Sequence, residues 1–164
     1  MSNSVIFTAA YDSLDSLVAD FKKALDGIPT EDLNSWKPAA EANGGGDMNT
    51  FAAMAVHTAT AGSWMIVHQV FGLDFPRERD LEFQATATRA EIDELFDNYL
   101  SRFAELAESE ADVDLSALPL EIRPVRPNWT RMSWLMHAID HTALHLGHAE
   151  IQRQAWLAER ATTP

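Results

Sequence analysis

The chain has 164 residues, 46% of them hydrophobic, which suits one core and a single domain over 1–164 rather than several small modules. Twelve Lys and Arg against 25 Asp and Glu give a formal net charge of -13, a surface that repels phosphate backbones and anionic lipid, so no nucleic acid is expected as a direct partner. There is no cysteine, which excludes disulfides, thiolate metal sites, iron–sulfur clusters and a cysteine nucleophile, and leaves six histidines as the main soft chemistry.

Met1 to Tyr11 has no basic segment followed by an apolar run and a small-residue cleavage site, so the expected location is cytoplasmic. Leu14, Leu17, Val18, Phe21, Leu25 and Ile28 recur at helical spacing with Asp15, Lys22, Lys23 and Asp26 opposite, which predicts an amphipathic first helix ended by Gly27 and Pro29. Pro29, Pro38 and Gly44 to Gly46 then predict a loop leading to a helix cap at Asp47 or Asn49. From Met48 to Leu73 no residue is charged. A membrane span needs about 20 apolar residues, but His57, Thr58, Thr60, Ser63, His68 and Gln69 interrupt this stretch, and a helix buried on most sides explains it better.

Thr88 and Glu91 form a capping-box pattern ahead of Ile92, Leu95, Phe96, Tyr99, Phe103 and Leu106, predicting a third helix to about Ser109 with an acidic outer face. Residues Ala111 to Asn128 hold Pro119, Pro124 and Pro127 and read as a long irregular connection with a short extended piece. A fourth and longest helix is expected from about Thr130 to about Glu159. Four helical segments without an alternating strand pattern give an all-α class, a four-helix bundle whose long connections allow crossover topology.

His137, His141, His145 and His148 are spaced four, four and three apart, so all four lie on one narrow stripe of the last helix. Imidazoles at i and i+4 can converge on one cation with bonds of about 2.0 Å. A lone pair at this spacing is more often a pair of ordinary hydrogen-bonded histidines. Four imidazoles in a seam rich in Trp, Leu and Ile are costly unless partnered, and a metal would satisfy two at once. His57 and His68 share a face of the second helix but lie about three turns apart, so at most one completes the site, and spacing does not choose between them.

Four segments carry a resemblance: "IPTEDLNSWKPA", "NTFAAMAVHTATAGSW", "TRAEIDELFDNYLSRFAEL" and, most specifically, "HAIDHTALHLGHAEIQRQ". Through them the chain resembles the DinB-like superfamily of small bacterial four-helix proteins, whose bundle runs up-down-down-up with a long crossover connection. The resemblance implies that His57, His141 and His145 bind a divalent metal, with zinc or nickel ahead of iron or manganese, and leaves His137 and His148 outside the trio. His148 stands where the family often has Gln after its Gly. The resemblance further implies a homodimer, to which the charge-free second helix could contribute an interface.

Three neutral imidazoles leave coordination positions open, as in catalytic rather than structural metal sites. The Glu-x-x-His pairs of di-iron proteins and the His-Glu-x-x-His of zinc proteases are both absent. Relatives with assigned reactions are thiol-dependent S-transferases or isomerases, so the resemblance implies a small-molecule substrate and metal activation of a low-molecular-weight thiol, which in a cysteine-free chain comes from outside. A hydrolase using metal-activated water and a non-enzymatic metal-binding stress-response module are the alternatives. Arg123 and Arg126, with Arg131 nearby, are the candidate contacts for an anionic cofactor or substrate. Trp64, Trp129 and Trp134 are candidate pocket walls, and Asp140 a weak candidate to orient His141, since it points about 100° away on the helix wheel.

Overall fold

The computed structural model describes residues 3–38 and 48–162. Among them are six helices and no strand: α1 (Asn3–Ala24), α2 (Thr30–Ser35), α3 (Phe51–Trp64, continued by a π-helical stretch Met65–Val70), α4 (Arg79–Glu82), α5 (Arg89–Ser109) and α6 (Arg131–Thr162).

The first helix begins earlier than Leu14 because Phe7 and Ala10 extend the same buried stripe toward the N-terminus. Its start is anchored by the Asn3 side chain, whose Nδ2 donates to the carbonyls of Ala111 (3.0 Å) and Val113 (2.7 Å) just beyond α5. Gly27 takes a left-handed φ of 75° where the chain turns out of α1. The expected loop that follows contains α2, a single short helix held by buried Leu33. The glycine run Gly44 to Gly46 and the candidate cap Asp47 lie outside the described residues. The cap of α3 is neither Asp47 nor Asn49 but Thr50, whose hydroxyl accepts from the Ala53 N–H at 3.2 Å.

The uncharged stretch is buried within its own chain. Phe51 to Ala55 are all buried, and most of the following residues to Val70 are as well. Its small residues permit close approach: a Cβ built on Gly62 would stand 2.6 Å from Tyr99 Cζ on α5. Contacts with α5 and α6 account for the missing charges without a second subunit. No helix among the described residues is long and apolar enough to cross a membrane.

The capping box of α5 forms as expected, with the Thr88 hydroxyl accepting from the Glu91 N–H and the Glu91 carboxylate accepting from the Thr88 N–H at 2.7 Å. Between α5 and α6 the chain makes turns rather than the expected extended piece. Three prolines without N–H groups offer little to a strand ladder, and the segment is tied down instead by Arg131 N–H to Ala117 O and Met132 N–H to Leu115 O, both 2.9 Å.

Helix directions follow from cross-helix contacts. Gln152 of α6 donates to the Asn49 carbonyl at the start of α3, while Trp134 meets Trp64 near its end, so α3 and α6 are antiparallel. Arg153 of α6 donates to the carbonyls of Ala24 and Asp26 at the end of α1, which places α1 and α6 parallel. The four long helices close a ring in which α1 and α3 each pack on both α5 and α6. One continuous core fills it, from Phe7, Leu14 and Phe21 of α1 through Phe96 and Phe103 of α5 to Leu135 of α6.

The Gly62 contact is open to test. Gly62→Ala should destabilise the protein by about 1–3 kcal/mol through overpacking against the fully buried Tyr99 ring, read as a lowered Tm. An unchanged Tm would mean that Tyr99 moves freely.

Candidate metal centre

His57 lies in the second turn of α3, facing the middle of the antiparallel α6, and this crossing brings it against His141 and His145. One nitrogen from each of the three rings lies within 4.8 Å of the others. His57 is only 6% exposed, and its Nδ1 is 2.7 Å from Glu82 Oε2. An ionised carboxylate can only accept, so Nδ1 carries the proton and Nε2 keeps its lone pair toward α6.

Glu82 is fixed in turn by Arg77, whose Nε donates to Oε1 at 2.6 Å and whose Nη2 donates to Oε2 at 2.9 Å. Burial alone would raise the Glu82 pKa, but the hydrogen bonds from Arg77 and His57 and the positive charge of Arg77 outweigh it and hold the carboxyl below its usual value. The carboxylate is thus charged although only 5% exposed, and the guanidinium fork offsets what an isolated buried charge would cost.

Burial pushes the His141 pKa down to about 2, reinforced by repulsion from His145, His57, His137 and Arg77. Burial and the neighbouring His57 and His148 push His145 down to about 4. Both rings are therefore neutral donors at pH 7, the form that ligates metal. His57 Nε2 and His141 Nε2 are 3.2 Å apart, which matches the separation of roughly 3.3 Å for two ligands at tetrahedral angles with bonds of about 2.0–2.1 Å. The buried Nδ1 atoms of His141 and His145 have no hydrogen-bond partner among the described residues, the polar environment of a site rather than of a settled core. The three residues fit a divalent metal ion, which they could hold with all-nitrogen ligation.

The other histidines separate by distance. His137 packs edge-on to Trp129 and His141, with ring centroids 5.0 and 5.9 Å away, and burial followed by the Arg126 charge lowers its pKa. His148 flanks His145 at 5.6 Å. His68 stacks on Trp64 and contacts the Leu73 carbonyl and Glu121, away from the triad. Asp140 is directed to His137 Nδ1 at 3.7 Å and not to His141.

The two candidate arginines are not brought to one contact. Arg126 lies 3.9 Å over the Trp129 ring beside His137, whereas Arg123 lies over Trp64 and pairs with Glu121 at 2.9 Å. Arg131 donates to the Val70 carbonyl and braces the end of the π-helical stretch.

The model of the DinB superfamily matches residues 13–149. The chain belongs to the DinB superfamily. Among solved structures, a conserved protein from Enterococcus faecalis is 20% identical, with a TM-score of 0.60 over 92% of this chain and 96% of that one. At this identity it supports the shared fold alone. A comparison with curated proteins finds no match.

For this DinB member, sequence reasoning missed Glu82 and Arg77. Both sit in the charge-dense stretch Arg77 to Glu82, where nothing in the spacing sets one carboxylate apart from Glu78 or Asp80. A burial signal was present only in Leu81 and Phe83 flanking Glu82, and of these Phe83 does cover the His57 ring at 4.5 Å.

Two tests address this geometry. Glu82→Gln keeps an acceptor for His57 but loses the charge, and should weaken metal binding by roughly 10–100-fold, measured by competition with a chromophoric chelator. In metal-free protein the lowered values of His141 and His145 make the unfolded chain bind more protons as pH falls, so stability is full above pH 6.5 and declines toward 4 through His145 and toward 2 through His141. His145→Asn should flatten the fall in Tm between pH 6.5 and 4. Parallel Tm curves for the two proteins would contradict a neutral buried His145.

Proposed function

We propose that the protein is a metal-dependent enzyme in which His57, His141 and His145 hold zinc or nickel, with iron or manganese as further options, and that it uses a low-molecular-weight thiol for S-transfer or isomerisation. The observation that carries this reading is the set of three imidazole donors with one of them buttressed by an ionised buried carboxylate. Such a ligand set suits a divalent first-row metal and leaves positions for an exogenous ligand.

A bound divalent cation supplies a positive centre that favours thiolate over thiol, and thiolate is the nucleophilic form. The protein's own residues set the conditions for this. Glu82 and Arg77 fix the His57 ring and its tautomer. Phe83 covers one face of His57, and Trp129 and Trp134 pack around His137. Arg126 on Trp129 is a cation placed to meet an anionic group on the thiol or its acceptor. The thiol must come from a partner molecule because the chain has no cysteine.

Protein purified without a His-tag or nickel column should carry close to one equivalent of metal by elemental analysis, and His141→Ala should lose it. Absence of metal from the wild type, with no uptake on adding zinc or nickel, sinks the proposal. Electrophile panels run with and without added thiols then decide the reaction: turnover that needs thiol supports S-transfer, and thiol-independent hydrolysis overturns it in favour of water as nucleophile.

A further inference from the structure

Separated from the triad by Arg77 and Glu82 lies a cavity of about 270 Å³ lined by Trp64, His68, Phe75, Arg77, Arg79, Glu121 and Arg123. Three guanidinium groups converge on it in a protein whose net charge is -13. Their commitments differ. Arg77 is forked onto Glu82 and presents its face to Trp64, 5.3 Å from the ring centre. Arg123 lies over the same indole at 5.6 Å and gives one N–H to Glu121. Arg79 rests over Phe83 at 5.0 Å and has no carboxylate partner among the described residues.

A carboxylate already stands in this cavity. Glu121 accepts from Arg123 Nη1 at 2.9 Å and lies 3.1 Å from His68 Nε2. His68 Nδ1 faces the Leu73 carbonyl at 3.0 Å, an acceptor only, so the ring bonds to both partners when it carries both protons. Glu121 is half-exposed, on the irregular connection before α6. The cavity therefore shows which group its donors accept, while that group is borne by a segment outside any helix and Arg79 remains uncommitted.

We infer that this cavity is a binding site for a small carboxylate, held by Arg79, Arg123 and His68 in the place that Glu121 now partly fills. Planar guanidinium donors match a carboxylate in two-point fashion. The volume exceeds the roughly 150 Å³ that accommodates benzene, which suits a short dicarboxylate or a compact aromatic or sugar acid. The tethered Glu121 competes with the ligand, so the site binds weakly until an incoming acid displaces it. Arg77 joins the cavity to Glu82 and so to His57, which puts two side chains between the ligand and the metal triad. The assignment rests on these residues alone, and its failure is separate from failure of the metal reading because it is tested on metal-free protein.

Malonate, succinate and inorganic phosphate are titrated into the metal-free full chain by calorimetry at low ionic strength. Saturable malonate or succinate binding is expected, weakened at least tenfold in Arg79→Gln/Arg123→Gln and strengthened several-fold in Glu121→Gln, with Arg102→Gln on the exposed face of α5 unchanged. Circular dichroism confirms that each variant is folded. The unchanged affinity of Arg102→Gln separates a built site from general charge attraction, which any lost arginine would weaken. No saturable binding, equal weakening in Arg102→Gln, or weaker binding in Glu121→Gln would overturn the inference, and binding of phosphate without either dicarboxylate would overturn the ligand class.

Discussion

The arrangement around the triad depends on one buried ion pair. Glu82 is charged in an environment that would otherwise neutralise it, and it stays so because Arg77 supplies two hydrogen bonds and His57 a third. Breaking such a pair by removing one partner is typically worth about 3–5 kcal/mol of destabilisation. A site built on it is therefore rigid as well as polar. The helix that supplies it is short: α4 is a single turn that delivers this carboxylate at one end and carries Arg79 at the other.

The packing around α3 serves the same end. A helix that carries His57 into the interior has to be accepted by its neighbours on nearly every side, and its Ala and Gly residues let α5 and α6 approach. Beyond Trp64 the helix widens into π-helical geometry, where His68 turns toward the basic cavity instead of the triad. Two histidines on one helix thus face two different chemical settings, three turns apart in sequence terms and divided by the Trp64 ring, which His68 stacks upon.

The all-helical class, the capping box of α5 and the extent of α6 were legible because each rests on local periodicity or on a side chain acting within a few residues. The stripe of α6 was legible for the same reason. What periodicity could not supply was the partner across the gap: choosing His57 over His68 took the family resemblance, since both sit on one face of one helix. Glu82 and Arg77 were invisible because their roles arise from tertiary placement of a charged, non-periodic segment. Thr50 was overlooked as a cap in favour of Asp47 and Asn49, three candidates within four residues whose order only backbone geometry decides. The lack of charge in α3 pointed to burial correctly, but the neighbours that bury it belong to the same chain.

His57 and His141 stand 84 residues apart in the chain and 3.2 Å apart in space. An ion shared between them would act as a removable crosslink closing a long stretch of chain, and long loops are where a closing link removes most freedom from the unfolded chain. The triad would then couple metal binding to folding: His141 and His145 lie on α6 alone, but the third ligand joins only when α3 meets α6, so a loaded site would resist the separation of those helices by an amount that grows with the logarithm of the free metal around it.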